Sequence, residues 1–241
     1  MKSMKSIAAG LYMAVAVAAT VTMTVPAHSM PLTLPSRLNP GDTYRLVFET
    51  SITTAATSTD INFYNTFVND FANNASLNPV LASLGTTWTT IASTAAVDAQ
   101  DNTGTNLTTD GAGVSIYHLN HQIVATGNAD LWDGSIANLI RSETGGFDAA
   151  PVVWTGSTAA GVESIGLGLG SINSRLGLSG FTNDQWIAAA SIIFYQLQGL
   201  YAISGLLTVE SISVPEPGPL GVLGLGLAGL ILLQRRRRPV A

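Results

Sequence analysis

Residues 44–71, YRLVFETSITTAATSTDINFYNTFVNDF, change their hydrophobic period partway along. Tyr44, Leu46 and Phe48 alternate with Arg45 and Glu49, a period of two that predicts a strand. From Thr59 the period lengthens. Ile61, Tyr64, Phe67, Val68 and Phe71 fall at the spacing of one helix face, with Thr59 or Asp60 as the N-cap. A strand followed directly by an amphipathic helix sets the expected class as α+β, a single mixed domain.

Working outward, Asn73-Asn74 ends this helix, and Pro79 opens a short second one through Leu84 that Gly85 stops. Residues 86–93, TTWTTIAS, predict a strand rich in β-formers. Residues 98–113 are polar and turn-rich, hence a surface loop. The runs VSIYHL and QIVATG flank Asn120-His121 as a tight hairpin. PVVWTGS, residues 151–157, predicts a short strand. Residues 156–180 are glycine-rich and predict a long irregular loop. Residues 185–198 admit a helix by length or a strand by their Ile-Ile-Phe-Tyr run. LYAISGLLTVES closes the domain as a strand, and strands at both ends predict pairing of the domain's termini.

Charge is sparse and lopsided. Between His28 and Val214, fourteen acids face Arg37, Arg45, Arg141 and Arg175, a net charge of −10. An acidic domain without Lys/Arg clusters argues against nucleic acid as a partner. The chain has no cysteine, so disulfides, thiolate metal sites and a cysteine nucleophile are excluded. A domain of this kind is held by its core alone.

Both ends read as addresses. MKSMKS, an apolar run and PAHSMP give a positive start, a hydrophobic middle and a small-residue exit, a signal helix over residues 1–27 with cleavage after Ala27. Residues 28–41, with Pro31, Pro35 and Pro40, form an extended lead-in to a domain spanning 42–213. At the other end, Leu220 to Leu233 is apolar and glycine-broken. At ~1.5 Å per residue it covers roughly 21 Å, short of a ~30 Å hydrocarbon core. The segment 219–234 is thus a short, thin transmembrane helix, and Arg235, Arg236, Arg237 and Arg238 hold its end in the cytoplasm.

Val214-Pro215-Glu216-Pro217, the short apolar segment and the arginine cluster together resemble the PEP-CTERM sorting signal of Gram-negative bacteria. The resemblance implies an exosortase substrate, cut near Pro215, Glu216 and Pro217, and released or transferred to the cell surface. Export machinery and exosortase are then the implied partners. The domain is transiently anchored to the inner membrane on its periplasmic side. The prolines keep the backbone extended at that point.

A second resemblance rests on YRLVFETS, GTTWTTIAS, NADLWDGSI and VVWTGS, in that order. They are similar to a family of secreted bacterial domains of unknown activity, with a C-type-lectin-like, endostatin-like fold. The implied role is structural or adhesive, in exopolysaccharide or biofilm material. The alternatives are a calcium- or carbohydrate-binding module and a carbohydrate-active enzyme.

Candidate chemistry is thin, and no catalytic residue is assigned. Asp98, Asp101, Asn102 and Asp110 share one loop, and their oxygens suit calcium. The same residues serve as Asx-turns in a solvated loop. Asp130 and Asp133 flank Trp132 as a carboxylate pair, or as turn caps around a packed indole. Asn183-Asp184 near Trp186 forms a weaker calcium candidate. His118 and His121 are expected to be surface or turn residues rather than a metal pair.

Overall fold

The computed structural model describes Pro35, residues 38–146 and residues 152–210. The expected signal helix 1–27 with Ala27, most of the lead-in, and the terminal segment with its apolar stretch 219–234 lie outside the described residues. Among the described residues no helix is long and apolar enough to cross a membrane.

The first strand and helix form as their periods predict. β1 spans Thr43–Glu49 and α1 spans Ile61–Ala72. Asp60 caps α1 by accepting the Asn62 N–H at 3.0 Å. α2 (Pro79–Ser83) begins on its proline, and Gly85 follows with φ of 60°. β2 (Trp88–Thr90) is shorter than the run that predicts it. α3 (Ala99–Asn102) opens what reads as a featureless loop. β3 (Ile116–His118) and β4 (Ile123–Ala125) make the expected hairpin, with His121 in its turn at φ 71°. α4 (Asn128–Leu131) and β5 (Val152–Trp154) follow.

The glycine-rich stretch 156–180 is not uniformly irregular. Residues Asn173–Leu178 form β6, which pairs antiparallel with β5 and with the next strand. Gly177 explains why a glycine sits there: a Cβ at that position would lie 2.1 Å from the Trp186 carbonyl oxygen. The ambiguous stretch 185–198 resolves into both of its readings. α5 (Gln185–Ala188) gives way to β7 (Ala190–Ile193). β8 (Gly199–Ser204) and β9 (Leu207–Thr208) complete the chain's described part.

The nine strands among the described residues belong to one mixed sheet ordered β4-β3-β1-β8-β5-β6-β7, with β2 joined to β8 and β9 to β1. β1 runs parallel to β3 and antiparallel to β8 and β9, so the two ends of the domain do pair. Gly41 N–H to Val209 O and Val209 N–H to Asp42 O, each 2.9 Å, close this seam.

The sheet is buried on both faces, which the alternation of β1 does not reveal. Leu46 and Phe48 join α1, Trp88, Trp154 and Leu200 in one core cluster. Val47 joins Ile116, Val153, Trp186, Tyr201 and Ile203 in a second. Adjacent strand residues point to opposite faces, so the two clusters lie on opposite sides of the sheet. Glu49 is 1% exposed for this reason.

The short edge strand β2 is sealed by α1. Asn69 Oδ1 accepts the Trp88 N–H at 3.1 Å, and Asn65 Oδ1 accepts the Thr90 N–H at 3.0 Å. Side chains four apart on a helix thus meet amides two apart on a strand, because one helical turn and two strand residues advance by similar lengths, about 6 Å. Asn65 also exchanges two hydrogen bonds with Asn102 of α3.

Candidate functional site

Two regions gather residues with functional character. The first is the seam where the domain's termini meet. Pro40, Gly41, Thr208, Val209 and Glu210 line an open surface cleft of about 480 Å³. Strand β9 ends here, and the chain leaves toward Val214 and Pro215 within a few residues. Whatever holds the C-terminus therefore holds the domain through β9 and the central strand β1.

The second region is a buried polar seam on the second face of the sheet. Glu49 ends β1, and its amide donates to the Arg141 carbonyl at 2.8 Å. In register, Val47 pairs with His118 and Glu49 with Tyr201, which puts all three ionisable groups on one face. The His118 ring is fully buried. It bonds the Arg141 carbonyl through Nε2 at 3.2 Å and accepts the Asn120 N–H on Nδ1 at 3.1 Å. These partners assign the proton to Nε2. Burial, and secondarily the charge of Arg141, hold the imidazole below its ordinary pKa, although its hydrogen bonds oppose this. Tyr201 donates to the Trp186 carbonyl at 2.9 Å; burial first, then the Glu49 charge, push its phenol well above the usual range.

His118 is thus a buried, tautomer-fixed histidine rather than the surface or turn residue that its position near a hairpin suggests. With Nδ1 occupied by a backbone amide, it has no free lone pair for proton transfer. Because the native ring takes a proton only below the ~6.5 of an unfolded histidine, the unfolded chain binds more protons in the window beneath 6.5. Stability is therefore full above that pH and falls as pH drops toward the depressed native value. The expected slope is at most about 1.4 kcal/mol per pH unit. Urea unfolding of wild type and His118→Gln between pH 7.5 and 5 checks this: the variant's profile is expected to be flatter, and parallel profiles would refute the assignment.

The remaining sequence-predicted residues each hold a local bond. Asp98 Oδ1 accepts the Glu163 N–H at 2.6 Å and ties α3 to the 161–170 loop. Asp101 accepts from the Asn106 side chain at 2.6 Å, and Asp110 from the Asn106 amide at 2.9 Å. The structure brings Asp101 and Asp110 together around Asn106 and turns Asp98 elsewhere. Among the described residues no group of three or more His, Asp or Glu is placed to hold a metal ion. Asp130 accepts from the Thr126 amide and hydroxyl, and Asp133 from those of Ser135, the turn-capping role. Trp132 donates to Thr105 and stacks on Trp186 at 6.2 Å between ring centroids. Asp184 stays exposed ahead of α5, while Trp186 is fully buried. The seam residues Glu49 and Tyr201 escape sequence reasoning. Their only signal is the one acid of β1 and the one tyrosine of β8.

Fold and site together define a class: one mixed-sheet body without disulfides, followed after β9 by a C-terminal sorting segment. Residues 213–238 match the PEP-CTERM protein-sorting motif. The match contains Pro215, Glu216, Pro217 and Arg235 to Arg238, which lie outside the described residues. It supports an exosortase substrate that is exported and associated with the surface through its C-terminal end. No curated protein matches the chain.

Proposed function

We propose that this chain is an exosortase-processed protein of a Gram-negative cell surface or extracellular matrix, with a structural or adhesive role in exopolysaccharide or biofilm material. The observation that carries it is the sorting motif at 213–238, beginning three residues after the described body ends at Glu210. In this reading the signal segment is removed after Ala27, the domain spans 42–213, and the segment 214–241 with its apolar stretch 219–234 serves as a temporary foothold. The lectin-like fold belongs to the same proposal, supported by the resemblance of NADLWDGSI and VVWTGS. The proposed role is not catalytic and uses no cofactor. Its support is that His118, Asp98, Asp130 and Asp133 are each engaged in bonds that shape the body.

Intact-mass measurement of the protein from its native host tests the proposal. The exported form is expected to lack residues 218–241. Replacing Pro215, Glu216 and Pro217 with alanine, or deleting the host's exosortase, is expected to leave the tail attached and the protein in the membrane fraction. A wild-type exterior form that retains the tail would overturn it.

A further inference from the structure

Among the described residues the sheet has four outer strands, of which β9 is only two residues long, and it treats the other three differently. β2 is sealed by Asn65 and Asn69 of α1. β4 is sealed by the loop that follows α4: Ala137 N–H donates to the Val124 carbonyl at 2.9 Å, and the Asn138 side chain to the Ile123 carbonyl at 2.8 Å. β7 pairs with β6 on one side; on the other, the Gln196 N–H meets the Ile193 carbonyl at 3.2 Å, and no strand among the described residues pairs there. Phe194 N–H binds the Ile172 carbonyl, so alternation turns the backbone of Ile192 toward β6 and the amides of Ser191 and Ile193 outward. Neither outward amide donates a hydrogen bond among the described residues.

The usual defences of an open edge are missing from β7. Residues 185–209 contain no charge and no proline. Ile172, Tyr195 and Leu197 flank the strand at 73%, 59% and 63% exposure. The segment SIIFYQ, residues 191–196, has the β-propensity and neutrality of self-pairing strands.

We propose that β7 is a self-association edge at which a second copy of this chain adds its own β7, antiparallel, about a two-fold axis at Ser191. Charge selects the occupant. A domain carrying −10 repels its copies over its acidic surface, whereas β7 carries no charge and its cross-strand neighbour at Ser191 is Arg175 rather than an acid. Antiparallel pairing of one strand with itself is self-complementary, as a two-fold contact requires. Position allows it. β7 lies four strands from β1, about 19 Å across the sheet, so a chain held through β9 and β1 leaves this edge free for a neighbour. This last point rests on the surface reading; the pairing itself does not, and is tested without it.

The chain's lack of cysteine makes the test direct. At a two-fold axis the paired Ser191 Cα atoms stand about 5.5 Å apart, within disulfide reach. Full-length chain carrying Ser191→Cys, purified in detergent and oxidised, is expected to give several-fold more covalent dimer than Thr108→Cys, an exposed site in the loop after α3. Wild type is expected to sediment at twice the protein mass of Ser191→Lys, with the variant still giving one cooperative melt, no higher than that of wild type. Equal cross-linking at residues 191 and 108 overturns the proposal, as does an unchanged sedimenting mass for Ser191→Lys. Neither result bears on exosortase processing.

Discussion

Gly156→Ala is expected to lose about 2–5 kcal/mol of unfolding free energy, a large fraction of a typical domain's total. Gly156 follows β5 and has φ of 61°, a left-handed backbone that costs a residue with a Cβ about 1–2 kcal/mol. Its surroundings are worse. A Cβ there would stand 2.2 Å from the Ser93 carbonyl oxygen and 2.8 Å from the Leu169 amide nitrogen. Both are backbone atoms in use: Leu169 N–H donates to Ser93 O at 2.9 Å, and Ser93 N–H to Thr155 O at 2.7 Å. Relieving the clash means separating the segments that these bonds join, for about another 1–3 kcal/mol. Gly166 supplies the control. It has φ of 72°, yet a Cβ added there would meet nothing within 4 Å. Gly166→Ala is expected to lose only the backbone cost, about 1–2 kcal/mol. Urea unfolding of both variants decides the matter, since equal losses would remove the packing term.

Asn65→Leu is expected to cost about 2–4 kcal/mol. The amide accepts from Thr90 N–H and from the Asn102 side chain, and donates to Asn102 Oδ1. Leucine leaves the Thr90 amide and the Asn102 side chain short of partners where α1, β2 and α3 meet, and each such group costs about 1–3 kcal/mol. Asn65→Asp keeps the acceptor and loses the donor, so an intermediate loss is expected. Asn62, exposed one turn earlier, is a control whose alanine variant should shift stability by less than about 0.5 kcal/mol. If Asn65→Leu matched that small shift, the edge-sealing role would fail. Faster amide exchange at Trp88 and Thr90 in Asn65→Leu would locate the loss on β2.

These two variants also mark where sequence reading stops. The helix containing Asn65 is legible because Ile61, Tyr64, Val68 and Phe71 repeat at helical spacing. The stripe Asn65, Asn69, Asn73 is equally periodic, but it reads as a solvated face. Its partners lie on β2 and at Thr86 just before it, across an intervening helix, and nothing local announces them. β6 shows the same gap. Asn173–Leu178 has weak hydrophobicity and an internal glycine, and it is a strand because β5 and β7 flank it. The ambiguity over 185–198 arises because the segment holds a helical turn packed on β6 and then a strand.

Elements with their own period, the sorting address and the exclusion of thiol chemistry were settled by the amino-acid order, because each depends on residues within a few positions of one another or on composition alone. The sorting motif is matched within residues 213–238, a contiguous stretch, so it is legible without any fold. Burial of Glu49 and His118, sealing of β2 and β4, and exposure of β7 were settled by the tertiary structure. Each depends on segments that pair or pack across long sequence separations, and local chemistry carries no record of which distant backbone will arrive.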